Sequence, residues 1–568
     1  MINNKNAVLH LNTVIEDITK QIAECSKIPI KNIKSSLSVY KDGVSDFVMF
    51  FNQISQNPAE EAKRVCEILK EKNLPEITNI SVKDTHVNFD LNKRLFFERA
   101  LKTVHSKNME FGKNTIGQGK NVIVEYSSPN IAKLFHVGHY RTTILGNFIA
   151  NLMRNSGFKV TSMNYLGDWG KQFGLVLLGF EKYGDEDKLK SNALMHLFDV
   201  YVKINEDAKN DIKVHEAAKN IFKEMEEHKN EKYLSVWRRF RELSINKYRD
   251  LYKKLNIEFD VYSGESFYQD LGLEFAKTTS IAKTDEDGSK IIECGALGNA
   301  LIQKSDGTTL YLTRDICAAK DRIEKYNPHK IIYVVDSAQN QHLSQLFCCM
   351  EKLGYDKSIF EHVNYGRVDG MSTRNGNVHF LEDIIDQSAK AVKKRLLDNQ
   401  KIEESEMESI AHILAISTLL VADFGAKRIK NYTFNADQRA NCEKGSGAYL
   451  QYAHCRLNSI EAVNSDIDIY DISDVIFSLI DEPEVHDLCY KLMWFEKLLE
   501  QCLEDYEPSR IVLFLMDLAK TANFLISKYR VKGEDSGVAK ARLLVFNCTR
   551  IVIRNGLEVL GMVPLNKM

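Results

Sequence analysis

Residues 122–174 read VIVEYSSPNIAKLFHVGHYRTTILGNFIANLMRNSGFKVTSMNYLGDWGKQFG, and this stretch decides the fold. A β-branched run at 122–124 predicts a buried strand that ends in a polar turn at 127–130. Apolar residues then recur at helical spacing between 143 and 153, and residues 159–163 predict a second strand. Because ligands bind where the strands of an open parallel sheet end, this β-turn-α-β unit predicts an α/β domain with a site at the turn.

Length and composition favour a soluble protein of several domains. The 568 residues are too many for one hydrophobic core, so we expect about three or four domains. The net charge of -2 means that any polyanionic partner has to be held by local basic patches. We find no apolar run long enough to span a bilayer, and the N-terminus resembles neither a secretory signal nor a transit peptide. We therefore expect no membrane contact.

The cysteines favour a reducing compartment. All 11 are scattered without a Cys-x-x-Cys pair, and the adjacent Cys348 and Cys349 cannot jointly hold a metal at the usual spacing. We expect no structural zinc and no other metal site in the protein. The cysteines are expected to be buried as small apolar side chains.

Three domains follow from changes of pattern along the chain. Residues 1–112 predict an α+β domain, 113–384 an α/β domain with insertions at about 175–256 and 260–308, and 385–568 an all-helical bundle. Strand patterns lie at 44–50, 77–82, 86–91, 290–293, 300–304, 309–313 and 330–335, and the last of these is expected to extend the sheet begun at Val122. Helical patterns include about 8–22, 59–70, 314–326, 341–353, 410–424, 448–460, 485–503, 510–528 and 539–560.

The end of the first insertion, at 237–255, combines an apolar stripe with many basic residues. The stripe begins at Trp237, and the basic residues are Arg238, Arg239, Arg241, Lys247, Arg249, Lys253 and Lys254. An amphipathic helix with a solvated basic face accounts for this pattern, and a surface that faces a polyphosphate is the alternative.

His136 and His139 flank a short Val-Gly pair at the predicted start of the first helix. Residues three apart share one side of a helical turn, and the glycine lets a flat ligand approach the backbone. The N–H groups and the dipole at a helix start favour phosphate, to which imidazoles can donate. Metal ligation is a weaker alternative without a third ligand nearby, and simple capping of the helix is another.

Acids and amides follow several predicted strands in the same way. Glu125 and Asn130 follow the first strand, and Asp315 and Gln339 follow later ones. Such a set suits a small cation with a free amino group, and a guanidinium requires paired acceptors of this kind. Each acid taken alone is more often a helix cap or a surface residue, and only the set as a whole suggests a binding site.

A polar loop at 370–376, Gly-Met-Ser-Thr-Arg-Asn-Gly, adds a cation. Such a loop can close over a triphosphate and stabilise the charge that develops on it. Without the other motifs it would be an ordinary surface turn.

With these motifs in place, the chain resembles a class I aminoacyl-tRNA synthetase, specifically an arginyl-tRNA synthetase of the eukaryotic cytosolic kind. The resemblance rests on EYSSPNIAKLFHVGH, MNYLGDWGKQFG, LYLTRD, GMSTRNG, GAYLQYAHCR and MVPLNKM, which span about 115–568 in the expected order. It implies a Rossmann-like catalytic domain with insertions, a tRNA-contacting N-terminal domain and an anticodon-binding bundle. It also implies ATP-dependent activation of L-arginine, with Mg²⁺ on the phosphates, and transfer to the 3′ end of arginine tRNA.

The resemblance assigns roles residue by residue. His136, Gly138 and His139 match the HIGH signature, with Val137 in place of isoleucine. The family's arginine-binding positions correspond to Glu125, Ser128, Asn130, His139, Tyr311, Asp315 and Gln339. Among these, Asn130 and Gln339 would hold the amino-acid end, and Tyr311 and Asp315 the guanidinium.

One departure from the class pattern concerns the ATP loop. The usual K-M-S-K-S is replaced by Gly370 followed by Met371, Ser372, Thr373 and Arg374, with neither lysine. In arginyl enzymes a lysine just before the HIGH signature, here Lys133, is taken to compensate, and Arg374 is the other candidate cation.

The remaining expectations concern tRNA and location. Tyr449, Gln451 and Arg456 would contact the anticodon from one helix, whereas core packing is expected for Tyr452. His86 and Asn88 match positions that contact the tRNA D-loop. The resemblance further implies a cytoplasmic monomer. A degenerate synthetase-like tRNA-binding protein without charging activity is the alternative, and a shorter nucleotidyl transferase with a similar sheet is a third possibility.

Overall fold

The structure is a computed structural model that describes residues 11–38, 46–72, 74–131, 135, 137–369, 381–396, 403–433 and 445–568. Its N-terminal part is an α+β module. The elements are α1 (Leu11–Ser26), α2 (Ile30–Ser36), β1 (Leu37–Ser38), β2 (Phe47–Phe50), α3 (Pro58–Glu71), β3 (Ile77–Lys83), β4 (His86–Leu91) and α4 (Lys93–Lys107). The strands form one antiparallel sheet in the order β1-β2-β4-β3, and α3 packs against it through the buried Val65 and Leu69.

The central part alternates strands and helices. Its first elements are β5 (Asn121–Glu125), α5 (Val137–Asn155), β6 (Lys159–Leu166), α6 (Gln172–Tyr183), α7 (Glu186–Ser191), α8 (Ala193–Asn210), α9 (Ile212–Glu226), α10 (Glu231–Lys254) and β7 (Val261–Gly264). The later ones are α11 (Gln269–Thr278), β8 (Lys283–Thr284), β9 (Lys290–Glu293), β10 (Asn299–Gln303), α12 (Tyr311–Tyr326), β11 (Lys330–Asp336), α13 (Asn340–Lys352), β12 (Phe360–Tyr365) and β13 (Val368–Asp369).

Five parallel strands form the central sheet in the order β12-β11-β5-β6-β7. The buried β-branched run of β5 lies in the middle, paired with β6 on one side and β11 on the other. The prediction that 330–335 extends the sheet begun at Val122 is therefore confirmed. Because the chain leaves β5 in one direction and returns on its other side, a crevice opens at the carboxyl ends of β5 and β11.

The insertions differ in part from their predicted bounds. Helices α6 to α10 lie between β6 and β7 in the sequence, where the first insertion was predicted. The second was expected to begin at about 260, but β7 pairs with β6 and is the edge strand of the central sheet. Only β8, β9 and β10 form a separate small sheet. The sequence did not assign β7 to the central sheet because an edge strand this short carries little periodicity of its own.

The C-terminal part is a bundle of long helices. Its elements are α14 (Leu381–Leu396), α15 (Glu404–Phe424), the short strand β14 (Tyr432–Thr433), α16 (Gly447–Val463), α17 (Pro483–Asp505), α18 (Ser509–Lys528) and α19 (Ser536–Val559). Every helix predicted here from apolar spacing is present. The α/β, α+β and all-helical parts confirm the predicted fold class.

Helix α15 is long and apolar enough to cross a membrane by length and composition, with a mean hydropathy of 1.5. The expectation that the sequence contains no apolar run of this length was therefore wrong. Inside the protein 72% of this stretch is buried, which is typical of a core helix in a bundle.

The N-terminal module is attached to the bundle. Helix α4 packs against α17 and α19. Lys107 pairs with Glu496 at 2.7 Å, and the Asn555 amide donates to the Asn108 carbonyl at 3.0 Å and to the Phe111 carbonyl at 2.8 Å. The two ends of the sequence thus share one interface.

Candidate active site

The turn after β5 has an uncommon backbone conformation. Ser127 and Ser128 have φ angles of 70° and 46°, in the left-handed region that residues with a Cβ seldom adopt. The Ser127 hydroxyl is hydrogen-bonded to the Tyr252 hydroxyl at 2.7 Å and accepts from Thr143 Oγ1 at 2.7 Å. The Ser128 hydroxyl accepts from the Tyr165 amide at 3.2 Å. Contacts from α5, β6 and α10 therefore hold this turn in place.

Asn130 lies beyond the carboxyl end of β5, beside the segment that follows β6. It forms an isolated parallel bridge with Gly167, and its carbonyl accepts from the Tyr248 hydroxyl at 3.2 Å. A Cβ at Gly167 would lie 3.4 Å from the Asn130 side-chain nitrogen, in ordinary van der Waals contact, so these two residues lie directly against each other.

Helix α5 begins at Val137 and carries Gly138 and His139 in its first turn. The His139 ring lies against the buried Phe135, with ring centroids 5.4 Å apart, and its carbonyl accepts from Thr143 Oγ1 at 2.6 Å. The first turn of a helix directs N–H groups and the positive end of its dipole outward, which suits phosphate. His136 and Lys133 lie outside the described residues, so His139 is the predicted histidine that the structure places.

A cavity of about 490 Å³ opens beside this turn. Five predicted arginine-binding residues line it: Glu125, Ser128, Tyr311, Asp315 and Gln339. They come from β5, the turn after it, the first turns of α12, and the short turn that follows β11. The sequence-based grouping of these residues thus corresponds to one cavity.

Asp315 was predicted to follow a strand at 309–313, and that prediction was wrong. Only Thr309 forms a bridge, to Gln303, and α12 begins at Tyr311. Leu312, Ile316 and Ala319 are buried at helical spacing, so the segment packs against the core as a helix. Asp315 therefore projects from the second turn of a helix into the cavity.

The cavity contains three carboxylates, and two of them already hold a guanidinium. Glu125 pairs with Arg322 at 2.5 Å, and Glu265 pairs with Arg314 at 2.7 Å. Within the part of the chain that the structure describes, Asp315 has no guanidinium partner and contacts His342 Nε2 at 2.7 Å. Asp315 is therefore the carboxylate placed to accept an external guanidinium.

Burial controls the charge of the two paired acids. It raises the pKa of the Glu125 carboxyl, against the opposing attraction of Arg322. It also raises the pKa of the Glu265 carboxyl to about 7, while Arg314 acts in the opposite direction. Since a buried carboxylate is costly without a partner, each acid depends on its own guanidinium to carry a charge.

Five of the cavity's aromatic or charged side chains were not predicted from the sequence: Tyr165, Glu265, Arg322, Tyr333 and His342. The Arg322 guanidinium lies 5.0 Å from the Tyr165 ring centroid and 5.6 Å from that of Tyr333. Arg322 occurs within an amphipathic helix, where an arginine is typical of the solvated face. Its burial at 2% exposure could be inferred only from the packing of α12 on the sheet.

Arg141, also missed, connects α5 to the segments that contain Gly366 and Lys430. Its guanidinium donates to the Gly366 carbonyl at 2.5 Å and to the Lys430 carbonyl at 2.9 Å, and it pairs with the buried Asp423 at 3.4 Å. Just beyond Gly366, β13 pairs in parallel with β14. The predicted ATP-loop residues Met371, Ser372, Thr373 and Arg374 lie outside the described residues.

The predicted tRNA contacts on α16 divide into two groups. Gln451 is buried, and its amide binds the Ser417 hydroxyl, the Val563 carbonyl and the Leu565 amide. It joins the bundle to the segment after α19, so its predicted contact with tRNA is contradicted by its burial. Tyr452 was expected in the core, but it is 48% exposed, so that expectation was wrong.

Tyr449 and Arg456 lie near the surface of the same helix. Asn523 accepts from the Arg456 guanidinium at 3.1 Å and donates to the Tyr449 hydroxyl at 3.3 Å. In the N-terminal module, His86 and Asn88 lie two residues apart on β4 and so face the same side of the sheet. The His86 ring packs against Phe50, while Asn88 is buried, so His86 is the more accessible of the two.

Metal-ligating groups are not clustered in the described ranges. No group of three or more His, Cys, Asp or Glu residues in them could hold a metal ion. The nine cysteines that the structure describes as free are all buried, as predicted.

Two family models match the chain. The model for "tRNA synthetases class I (R), catalytic domain" covers residues 100–436, and that for the "DALR anticodon binding domain" covers residues 450–568. The first alone spans more than half of the sequence.

Curated proteins match over nearly the whole length. The chain is 51% identical to an arginine–tRNA ligase of Encephalitozoon cuniculi, over 98% of this chain and 100% of that protein. It is 37% identical to a probable cytoplasmic arginine–tRNA ligase of Dictyostelium discoideum (97% and 100% covered), and 35% identical to a probable mitochondrial one of Homo sapiens (97% and 99% covered).

Solved structures share the fold. Arginyl-tRNA synthetase from Plasmodium falciparum matches with a TM-score of 0.79 at 22% identity, covering 98% of each chain. The Thermus thermophilus enzyme also matches with a TM-score of 0.79, at 18% identity, covering 98% of this chain and 100% of that one. Together with the family models and the 51% identity, these matches show that the chain belongs to the class I arginyl-tRNA synthetases, the arginine–tRNA ligases.

Proposed function

We propose that this arginine–tRNA ligase binds the guanidinium of L-arginine at Asp315, activates the amino acid at the first turn of α5, and passes it to the 3′ end of arginine tRNA. One observation carries the proposal. Of the three carboxylates in the cavity, Asp315 is the one without a guanidinium partner among the described residues. The substrate would supply the missing cation.

The cavity accounts for the choice of arginine. A planar guanidinium presents five donors, and a site that pairs them rejects lysine or citrulline because its acceptors would be left unpaired. Asp315 and Tyr311 would face the guanidinium, and Asn130 and Gln339 the amino-acid end. Glu125 and Ser128 complete the wall, and Arg322 holds the Glu125 carboxylate in place.

The first turn of α5 would receive ATP. Gly138 lets the nucleotide approach the backbone, and His136 and His139 would donate to phosphate oxygens. The arginine carboxylate then attacks the α-phosphate in line, and the bond to the leaving pyrophosphate breaks. This step requires positioning and charge stabilisation, without a general base. Mg²⁺ enters with ATP and neutralises phosphate charge.

The loop of Met371, Ser372, Thr373 and Arg374 would close over the phosphates. Arg141 supports this role because it binds the carbonyl of Gly366, which precedes the polar loop at 370–376 by four residues in the sequence. Lys133 and Arg374 are the two candidates for the missing loop lysine.

Transfer requires tRNA, which we assign to the two outer domains. Residues 1–112, 113–384 and 385–568 would serve as the tRNA-contacting, catalytic and anticodon-binding domains. Tyr449 and Arg456, with the exposed Tyr452, offer the aromatic and basic groups on which unpaired bases stack. His86 would face the D-loop, whereas the burial of Asn88 argues against such a contact. We further propose a monomer in the cytoplasm, without membrane contact or structural zinc.

Charging of arginine tRNA tests the proposal directly. Purified protein with arginine tRNA, ATP, Mg²⁺ and radiolabelled arginine is expected to form arginyl-tRNA. Radiolabelled lysine or citrulline is not expected to be attached to the tRNA. Folded protein that binds tRNA but forms no arginyl-tRNA would instead support a degenerate binding protein. The kcat and the KM for ATP of Lys133→Ala and Arg374→Ala decide which cation contacts the phosphates. Only the substitution of the contacting residue should lower kcat strongly.

A further inference from the structure

A second cavity, of about 550 Å³, lies next to the arginine cavity. Trp169 follows β6 and Phe267 follows β7, so it opens at the same carboxyl edge of the sheet. Glu265 lines the arginine cavity, whereas Phe267 lines this one. Two residues further along the chain span at most about 7 Å, so the two cavities are direct neighbours.

The second cavity has an aromatic interior. Trp169 and Trp237 are buried and meet edge to face, with ring centroids 5.2 Å apart. Met225, Leu234 and Ile245 add aliphatic surface. Phe267 lies at the rim and is 56% exposed, so its ring is accessible to a ligand at the opening of the cavity.

One cation is fixed against the rim. The Arg241 guanidinium lies 4.9 Å from the Phe267 ring centroid, and its Nε donates to the buried Asp168 carboxylate at 2.6 Å. Asp168 also accepts from the Ser266 amide at 2.9 Å, which fixes the turn that carries Phe267. The exposed ring is therefore held in place and already has a guanidinium against it.

Further cations surround the opening. Lys229 and Arg238 line the cavity, against a single acid, Glu242. Their partners are Asp270 at 2.6 Å and Glu231 at 2.8 Å, and all four of these side chains are at least half exposed. Exposed ion pairs contribute little, so these cations can exchange their carboxylates for phosphate.

We propose that this cavity binds an unpaired nucleobase from the single-stranded 3′ end of tRNA, with the base against Phe267 and its phosphates at Lys229 and Arg238. This inference rests on the proposed function, since the 3′ end has to reach the arginine cavity next door. Aromatic rings with arginine beside them bind single-stranded bases, and basic side chains along the backbone provide the electrostatic part. Stacking tolerates any base, so the site would position the 3′ end and leave the identity of the tRNA to other contacts.

Tryptophan fluorescence can report on binding in this cavity. The sequence has three tryptophans, and Trp169 and Trp237 both line this cavity, while Trp494 belongs to α17. In a Trp494→Phe background, both remaining fluorophores report on the proposed site. We expect full-length arginine tRNA to quench this fluorescence, and the same tRNA without its single-stranded 3′ end to bind with much weaker quenching.

Phe267→Ala is the test variant, because an exposed side chain can be removed without unfolding the protein. We expect it to raise the Kd and the KM for full-length tRNA about five- to tenfold, with the KM for arginine unchanged. Phe267→Tyr, which keeps the ring, should restore both constants. Leu271→Ala is the matched control, since Leu271 is 49% exposed on the neighbouring α11 but does not line the cavity.

Equal quenching by intact and truncated tRNA would overturn the inference, as would an unchanged KM for tRNA in Phe267→Ala. In either case the unmodified protein still charges tRNA if the proposed function holds. Absence of charging by the unmodified protein would count against the function itself.

Discussion

At the residue scale, the proposed function assigns the recognition of arginine to Asp315. We predict that Asp315→Ala raises the KM for arginine by about ten- to a hundredfold, because a charged hydrogen bond to the guanidinium is lost, and leaves the KM for ATP nearly unchanged. Steady-state kinetics with each substrate varied in turn measure this. Glu324→Ala, an exposed acid on the same helix, is the control. Equal increases for both substrates would contradict the assignment.

His139 should act on the phosphates and not on tRNA. His139→Ala is expected to lower the rate of arginyl-adenylate formation strongly while changing the Kd for tRNA little, because the imidazole stabilises charge that develops in the transition state. Single-turnover activation and tRNA binding are measured on the same variant. Parallel losses in the two quantities would show that His139 supports the fold of the site instead.

His454 gives a pH dependence at the residue scale. Its Nδ1–H donates to the Leu565 carbonyl at 2.7 Å, and burial lowers its pKa from the ordinary 6.5 to about 4. Between these pH values the unfolded chain binds a proton that the folded chain cannot, so stability falls as the pH drops from 6.5 toward 4. The loss reaches about 3 kcal/mol, at roughly 1.4 kcal/mol per pKa unit.

Chemical denaturation at several pH values measures this loss. The His454→Asn variant retains a donor for Leu565 but does not titrate, so its stability should fall less over the same interval. If the stability of both proteins falls with the same slope, another group is responsible.

The site shows which residues sequence alone can supply. Glu125, Ser128, Tyr311, Asp315 and Gln339 are found together because strand ends and a family pattern mark them. Arg322, Glu265 and His342 were missed because their importance arises from pairing across the fold, which no local spacing records. The predicted contact of Gln451 with tRNA was wrong for the same reason, since its partners Ser417 and Val563 lie far from it in the sequence.

At the scale of elements, the approach of α16 to α15 depends on Gly447. A Cβ on this residue would lie 1.9 Å from the Ser417 carbonyl oxygen. We predict that Gly447→Ala pushes α16 away, lowers the free energy of unfolding by about 1–3 kcal/mol and raises the KM for tRNA. Thermal unfolding and charging kinetics measure both effects.

Gly425→Ala is the control, because a Cβ there meets only the Val421 carbonyl, at 3.0 Å, beside the end of α15. A Gly447→Ala protein as stable as the parent would show that the helices can separate at no cost.

Helices and buried strands were predicted well from periodicity, and short or mixed segments were not. Long amphipathic helices such as α17 and α18 carry their spacing over many turns. The segment at 309–313 and β7 are each only a few residues long, so tertiary contacts decided their conformation. The exposed Tyr452 was misplaced because an aromatic at helical spacing is more often buried than not.

For the whole molecule, Asn555 couples the outer domains. It is buried and donates to the carbonyls of Asn108 and Phe111. We predict that Asn555→Ala costs about 1–3 kcal/mol, because two carbonyls lose their donor, and that it loosens the N-terminal module from the bundle. Calorimetry and proteolysis around residues 112–121 would detect an earlier, separate transition. Asn458→Ala, which removes one exposed hydrogen bond to Asn566, should have neither effect.

The joining of the two ends of the sequence also affects the order of events during synthesis. The Leu101 carbonyl on α4 accepts from the Cys548 thiol on α19, a contact that spans 447 residues. At typical translation speeds of 5–20 residues per second, roughly 20 to 90 s pass between the synthesis of these two residues. During that time the part of α4 that packs against α19 lacks this partner and is available to chaperones or to other nascent chains. Slower translation would therefore lengthen the exposure of this surface without changing the stability of the finished protein.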